Sequence, residues 1–301
     1  MYKRQAFILM NIIIIGAGVV SGIERIVRLL MPMLFVLMIV MVVNSIINGD
    51  FARGLSFLFA PNFSDVTPAT FLSAMGQAFF SLSLGMGSIM CYGAYMPKDE
   101  NVFNTSLTVC GLDTLIAIMA GLAIFPIIFA YGLEPDAGPS LVFISLLSVF
   151  WDMPFGNYIG PVFFILLSVA ALSSSISLLE PSVAFLSEEK IFSRKSASII
   201  LGLIAWFLGI GSLLSFNLWS EVNIIGDLNF LNSMDFLANQ FLMPLGGMFV
   251  AIFAGWFLST KIIKEELEPG QKKIFIVWKF FIKFISPTLV ALIFINQLFF
   301  S

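Results

Sequence analysis

Histidine is absent from all 301 residues, which excludes His-ligated metal centres, Ser-His-Asp hydrolases and haem held by a histidine. Charge is almost as scarce: 11% of residues are charged against 59% hydrophobic, and the mean hydropathy is +1.01. A water-soluble fold could not cover its core with so little polar surface. The two cysteines, Cys91 and Cys110, lie beside apolar runs at no metal or redox spacing, so they read as small buried hydrophobes. A net charge of −3 leaves no electrostatic footprint for nucleic acid.

What the chain has instead is long apolar runs. A bilayer-spanning helix needs about 20 apolar residues, and eight segments are candidates: roughly 6–20, 29–48, 69–96, 104–131, 156–187, 197–215, 235–259 and 274–298. The chain is therefore expected to be an all-α, polytopic bundle of about eight transmembrane helices, a single transmembrane domain over 1–301 in the cell (inner) membrane. Lys and Arg gather in alternate loops: Arg25 and Arg28, Lys98, Lys190 with Arg194 and Lys195, then Lys261, Lys264, Lys272 and Lys273. These mark the cytoplasmic side. The opposite loops carry Arg53 alone among the bases, while Asp50, Asp65, Glu134, Asp136, Asp152, Glu221 and Asp227 gather there. The ten-residue run from Leu141 to Phe150 follows a Gly-Pro pair and reads as a re-entrant or interfacial helix.

Polar residues at membrane depth are the informative exceptions. The string from Gly76 to Gly87 sets Ser81, Ser83, Gly85 and Gly87 in the third segment, which admits either a local helix break or small-residue packing. Asp113 stands about nine residues inside the fourth segment, roughly 14 Å deep. A carboxylate there costs about 3 kcal/mol or more unless it is paired, solvated, protonated or ion-bound. In the fifth segment Ala170, Ser173, Ser174 and Ser177 fall at i, i+3, i+4 and i+7, so they share one face. Serines in such helices usually bond their own backbone; three segments nevertheless place oxygens at one depth, as a hard cation such as sodium requires. Glu180, followed by Pro181, either snorkels or pairs.

The chain resembles the neurotransmitter:sodium symporters. The resemblance rests on Ser21 to Arg25, on Gly76 to Gly87, on Ala170 to Ile176 followed by Glu180-Pro181, and on Asp235-Phe236, in that order and spacing. It implies the LeuT-type inverted-repeat fold, N-terminally truncated: the eight segments would be family helices four to eleven, with the second repeat at about 69–259 and helices one to three missing. It implies sodium-coupled symport of an amino acid or related small zwitterion by alternating access, not an enzyme, with no cofactor beyond sodium as the coupling ion. Carried over residue by residue, Ala170, Ser173 and Ser174 match one sodium site, and Ser81 and Asp113 match positions around the other. Phe80, Ser81, Ser83, Met86, Ser174 and Leu178 match the substrate pocket. Asp235 resembles the outer-gate acid, and Tyr95 and Glu188 resemble residues of the inner gate. Ala117 stands where chloride-dependent members carry a serine, so Asp113 would act as a chloride surrogate and transport would be chloride-independent. The alternative reading is a transport-incompetent fragment, or a partner subunit for the absent helices carried as a separate chain.

Overall fold

A computed structural model describes residues 2–135, 141–267 and 272–299; Asp136 and the Gly-Pro pair before Leu141 lie outside them. The chain is helical because a backbone in hydrocarbon must satisfy its own N–H and C=O groups. The elements in order are α1 (Tyr2–Gly16), α2 (Arg25–Asn48), α3 (Phe51–Phe59), α4 (Pro68–Ser81), α5 (Ser88–Ala94), α6 (Val102–Ala130), α7 (Leu146–Asp152) and α8 (Gly156–Glu188). They continue with α9 (Arg194–Leu214), α10 (Phe230–Asp235), α11 (Met243–Ile252), α12 (Thr260–Glu266), α13 (Lys272–Phe280) and α14 (Ser286–Phe299). A small hairpin, β1 (Asn223–Ile225) with β2 (Leu228–Asn229), joins α9 to α10. Wider π-helical turns carry α10 into α11 (Phe236–Leu242), extend α11 (Phe253–Phe257) and link α13 to α14 (Phe281–Ile285).

Among the described residues six helices are long and apolar enough to cross a membrane: Val19–Asn48, Val102–Ala130, Gly156–Glu188, Arg194–Leu214, Phe230–Phe257 and Phe275–Ile295. The other two expected segments take different forms. The first, α1, has only 15 residues, and the third is broken between α4 and α5. The run after the Gly-Pro pair forms a short apolar helix, Leu141–Asp152. The loops supply the caps that helix starts need: Asp50 accepts from Arg53 N, Thr67 and Thr70 cap α4 reciprocally with Pro68 at its first turn, and Ser193 accepts from Ser196 N at α9. The cysteine reading fails in part: Cys91 is half-buried, but Cys110 is exposed.

The chain forms two compact units whose boundaries fall inside α6 and α8. Unit 1 is Met1–Gly16, Val66–Cys110 and Ser177–Ser301; unit 2 is Ala17–Asp65 and Gly111–Ile176. Unit 2 is centred on Met38, Met41, Ile127, Ile128, Leu146, Phe150 and Phe163, so the short α7 is part of its core. In unit 1, α1 packs along α9.

Prolines inside helices set the cross-links. A proline has no N–H, so the carbonyl four residues before it loses its α-helical partner. Pro126 strands the carbonyl of Leu122 in this way, and Ser45 Oγ of α2 donates to it at 2.6 Å. The carbonyl of Pro126 itself accepts from Asp50 N at 2.8 Å, which ties the junction of α2 and α3 to the end of α6. Both contacts lie in unit 2.

Candidate functional site

The third apolar segment breaks in a defined way. Leu84 N donates to Phe79 O at 3.1 Å and Ser83 N to Phe80 O at 2.9 Å, the paired bonds of a Schellman helix end. Ser83 occupies the left-handed position, with φ 53°, where glycine is usual. Gly85 and Gly87 follow with φ 79° and 83°, so the chain re-enters a helix at Ser88 only after a turn no run of ordinary residues would make cheaply. The break also packs closely. A Cβ on Gly85 would collide with the carbonyl of Met243, and one on Gly247 with the ring of Phe79. Both readings of the glycine and serine string therefore hold at once: the helix breaks, and the glycines let the break lie against α11.

These features place Phe80 and Ser81 in the last turn of α4, and Ser83 and Met86 within the break, all in unit 1. Phe80 is exposed, and Met86 and Ser83 are half-buried. Helix ends leave carbonyls and N–H groups without intrahelical partners, and two such ends, of α4 and of α5, flank this break.

The four-residue stripe of α8 divides. Ser177 is committed to α5: its carbonyl, stranded by Pro181, accepts from Ser88 Oγ at 2.9 Å, and its hydroxyl lies 2.8 Å from Tyr92 Oη. Ser173 Oγ donates to Ala170 O at 2.9 Å, which makes two of the expected sodium ligands neighbouring oxygens on α8. Ser174 is exposed. Ala170, Ser173 and Ser174 belong to unit 2 with Asp113, which is half-buried on α6. Leu178, one turn beyond Ser174, is exposed and falls in unit 1.

The alternative left open for Glu180 resolves to pairing. Its side chain is 1% exposed, and its carboxylate accepts from Arg194 Nη2 at 2.6 and 2.7 Å and from Tyr95 Oη at 2.7 Å. Arg194 also donates Nε to Ile15 O at 2.9 Å, so one guanidinium gathers the ends of α1, α5, α8 and α9 within unit 1. By sequence Arg194 counts only among the loop charges. The usable signal was an acid in the last third of a span with an arginine 14 residues on, just past a capping serine. Of the expected gate residues, Tyr95 meets Glu180 and not Glu188, which is exposed. Asp235, exposed at the end of α10, accepts from Asn239 Nδ2 at 2.7 Å.

The model of the Sodium:neurotransmitter symporter family matches residues 2–300. An uncharacterized sodium-dependent transporter of Haemophilus influenzae is 38% identical over 296 residues, covering 97% of this chain and 64% of its own length. The uncharacterized sodium-dependent transporter YhdH of Bacillus subtilis is 33% identical over 296 residues, covering 97% and 65%. The crystal structure of MhsT in complex with L-phenylalanine superposes with a TM-score of 0.87 at 43% identity, over 97% of this chain and 67% of that one. The chain thus spans about two thirds of the length of the relatives it matches. It is a multi-pass membrane protein of LeuT-type fold, and it belongs to the sodium:neurotransmitter symporter family.

Proposed function

We propose that the chain carries out sodium-coupled symport of an amino acid or related small zwitterion by alternating access, together with the family's helices one to three. The broken α4–α5 segment carries this reading. Its left-handed Ser83 and the glycines that seat it on α11 are costly features for a membrane helix, and two helix ends beside one another offer a zwitterion and a cation the backbone groups that a continuous helix would not. Discontinuous helices are how transporters of this architecture build midplane sites. The relative bound to L-phenylalanine supports an amino-acid substrate.

In this reading Ala170 O, Ser173 Oγ and Ser174 Oγ supply hard oxygens to one sodium ion, and Ser81 and Asp113 serve the other. Phe80, Ser81, Ser83, Met86, Ser174 and Leu178 line the substrate pocket, and Asp235 belongs to the outer gate. Tyr95 and Glu188 belong to the inner gate, which Glu180 and Arg194 join on the Lys- and Arg-rich, cytoplasmic side. Asp113 provides the negative charge that chloride supplies in other members, since Ala117 has no hydroxyl to hold an anion. Sodium binding favours the closed, substrate-accepting state, and opening of the inner gate releases both.

The chain spans about two thirds of the length of its relatives, and the second reading is a fragment that stays transport-incompetent whether or not those helices are supplied. Uptake of a panel of labelled amino acids into proteoliposomes under a sodium gradient decides between them. The chain is tested alone and co-reconstituted with the first three helices of a relative. Sodium-driven uptake only in the second arm supports the proposal. Uptake by neither overturns it, and uptake by the chain alone overturns the need for the added helices.

A further inference from the structure

The cytoplasmic junction of the last two spans has no part in the site above, yet it concentrates positive charge beside apolar surface. Trp256 Nε1 donates at 3.1 Å to the carbonyl of Lys283, the carbonyl that Pro287 cannot serve in an α-helix. The two π-helical turns, Phe253–Phe257 and Phe281–Ile285, pack on each other there, with Gly255 against the Lys283 backbone. Lys283 Nζ stands 4.1 Å from the Trp256 ring centroid. One turn earlier Lys279 Nζ donates to Thr260 Oγ1 at 2.9 Å. Lys279 and Lys264 both lie over the ring of Phe275, at 5.7 and 5.3 Å.

Three ammonium groups are thus held in place by rings and a hydroxyl, none of which neutralises them. Among the described residues none of the three forms an ion pair; the pair on α12 is Lys261 with Glu265 at 3.9 Å, both well exposed. Cation–π contacts offset a desolvated charge only in part. The adjoining surface is apolar and exposed at Ile276, Val277, Phe280 and Phe284. A soluble phosphate would match the charge but leave that surface without use. An anionic phospholipid matches both, with its phosphate on the lysines and its acyl chains along the phenylalanines. The indole is the side chain that favours the headgroup level, and basic pockets between spans on the cytoplasmic side are where acidic headgroups settle.

We propose that Lys264, Lys279 and Lys283, framed by Trp256 and Phe275, form a binding site for the headgroup of an anionic phospholipid of the cytoplasmic leaflet. The site is independent of transport, and its test does not require it. The purified chain is titrated in detergent with phosphatidylglycerol or phosphatidylcholine, and bound lipid is counted by native mass spectrometry. Phosphatidylglycerol should be retained well above phosphatidylcholine. Lys264→Gln with Lys279→Gln should weaken that retention by about tenfold or more, as expected for two charges at a membrane surface. Lys264→Arg with Lys279→Arg should keep it, and Lys98→Gln with Lys195→Gln, which removes as much charge from other loops, should leave it within about twofold. Equal retention of the two lipids, an equal loss from the control pair, or loss in the arginine pair would each overturn the site. Displacement of the lipid by millimolar inorganic phosphate would assign the lysines to a free anion instead.

Discussion

Ser88 gives its hydroxyl proton to the carbonyl of Ser177, the one carbonyl of that turn which Pro181 leaves without an α-helical donor. The same pattern joins Ser45 to Leu122 ahead of Pro126, and Trp256 to Lys283 ahead of Pro287. Each proline creates an acceptor, and a donor from another helix takes it. In hydrocarbon no water can substitute, so the contacts fix which helices meet and at what level.

Ser88→Ala should therefore destabilise the chain by about 1–3 kcal/mol, the cost of a buried acceptor left unmade. Ser88→Ala with Pro181→Ala should recover most of that loss, because alanine restores the N–H that serves Ser177. Thermal midpoints of the two single variants and the double variant in detergent measure the coupling. Additive losses would mean that Ser88 acts by packing alone.

Arg194→Met leaves the carboxylate of Glu180 buried with Tyr95 as its remaining donor and should cost about 3–5 kcal/mol. Glu180→Gln with Arg194→Gln should cost less than the arginine change alone, since no uncompensated charge is left in the low dielectric. Heat-denaturation midpoints rank the variants. A double variant less stable than Arg194→Met would contradict the pairing as the source of the loss.

In the chain reconstituted with the family's first three helices, Ser174→Ala should raise the sodium concentration for half-maximal uptake by roughly tenfold or more, the loss of one hard ligand oxygen. Ser177→Ala should lower the thermal midpoint instead, because that hydroxyl is engaged with Tyr92. Equal sodium half-saturation in the two variants would return both serines to helix packing.

Uptake by the same reconstituted protein should proceed at full rate without chloride. Asp113→Asn combined with Ala117→Ser removes the fixed negative charge and adds a hydroxyl one turn away, so uptake should become chloride-stimulated. A wild-type requirement for chloride, or a double variant that works equally well without it, would show that Asp113 is not the fixed anion.

Much of this architecture was legible in hydropathy, because spans must be apolar and about 20 residues long. The break at Ser83 was only half legible. Gly85 and Gly87 marked a weak point, but the Schellman end turns on a serine, and nothing in a single sequence says that Met243 and Gly247 wait on the other side. The spacing of Ala170, Ser173, Ser174 and Ser177 marked one face of α8, but not that Ser177 is spent on Ser88 and Tyr92. Counting four residues back from Pro181 finds the orphan carbonyl; its donor, 89 residues away, is a fact of tertiary structure. Arg194 escaped because a positive-inside count treats every loop cation as solvated, whereas this one is 21% exposed and holds Glu180.

The most direct measurement is sodium-dependent uptake of labelled L-phenylalanine and other amino acids into proteoliposomes. It compares the chain supplied with the family's first three helices with the same protein carrying Ser173→Ala and Ser174→Ala. The expected result is uptake that follows the inward sodium gradient, vanishes when potassium replaces sodium, and is lost in the double variant although the protein remains folded. Uptake that is indifferent to sodium, or that survives the loss of both hydroxyls with unchanged sodium dependence, would contradict a sodium site on α8.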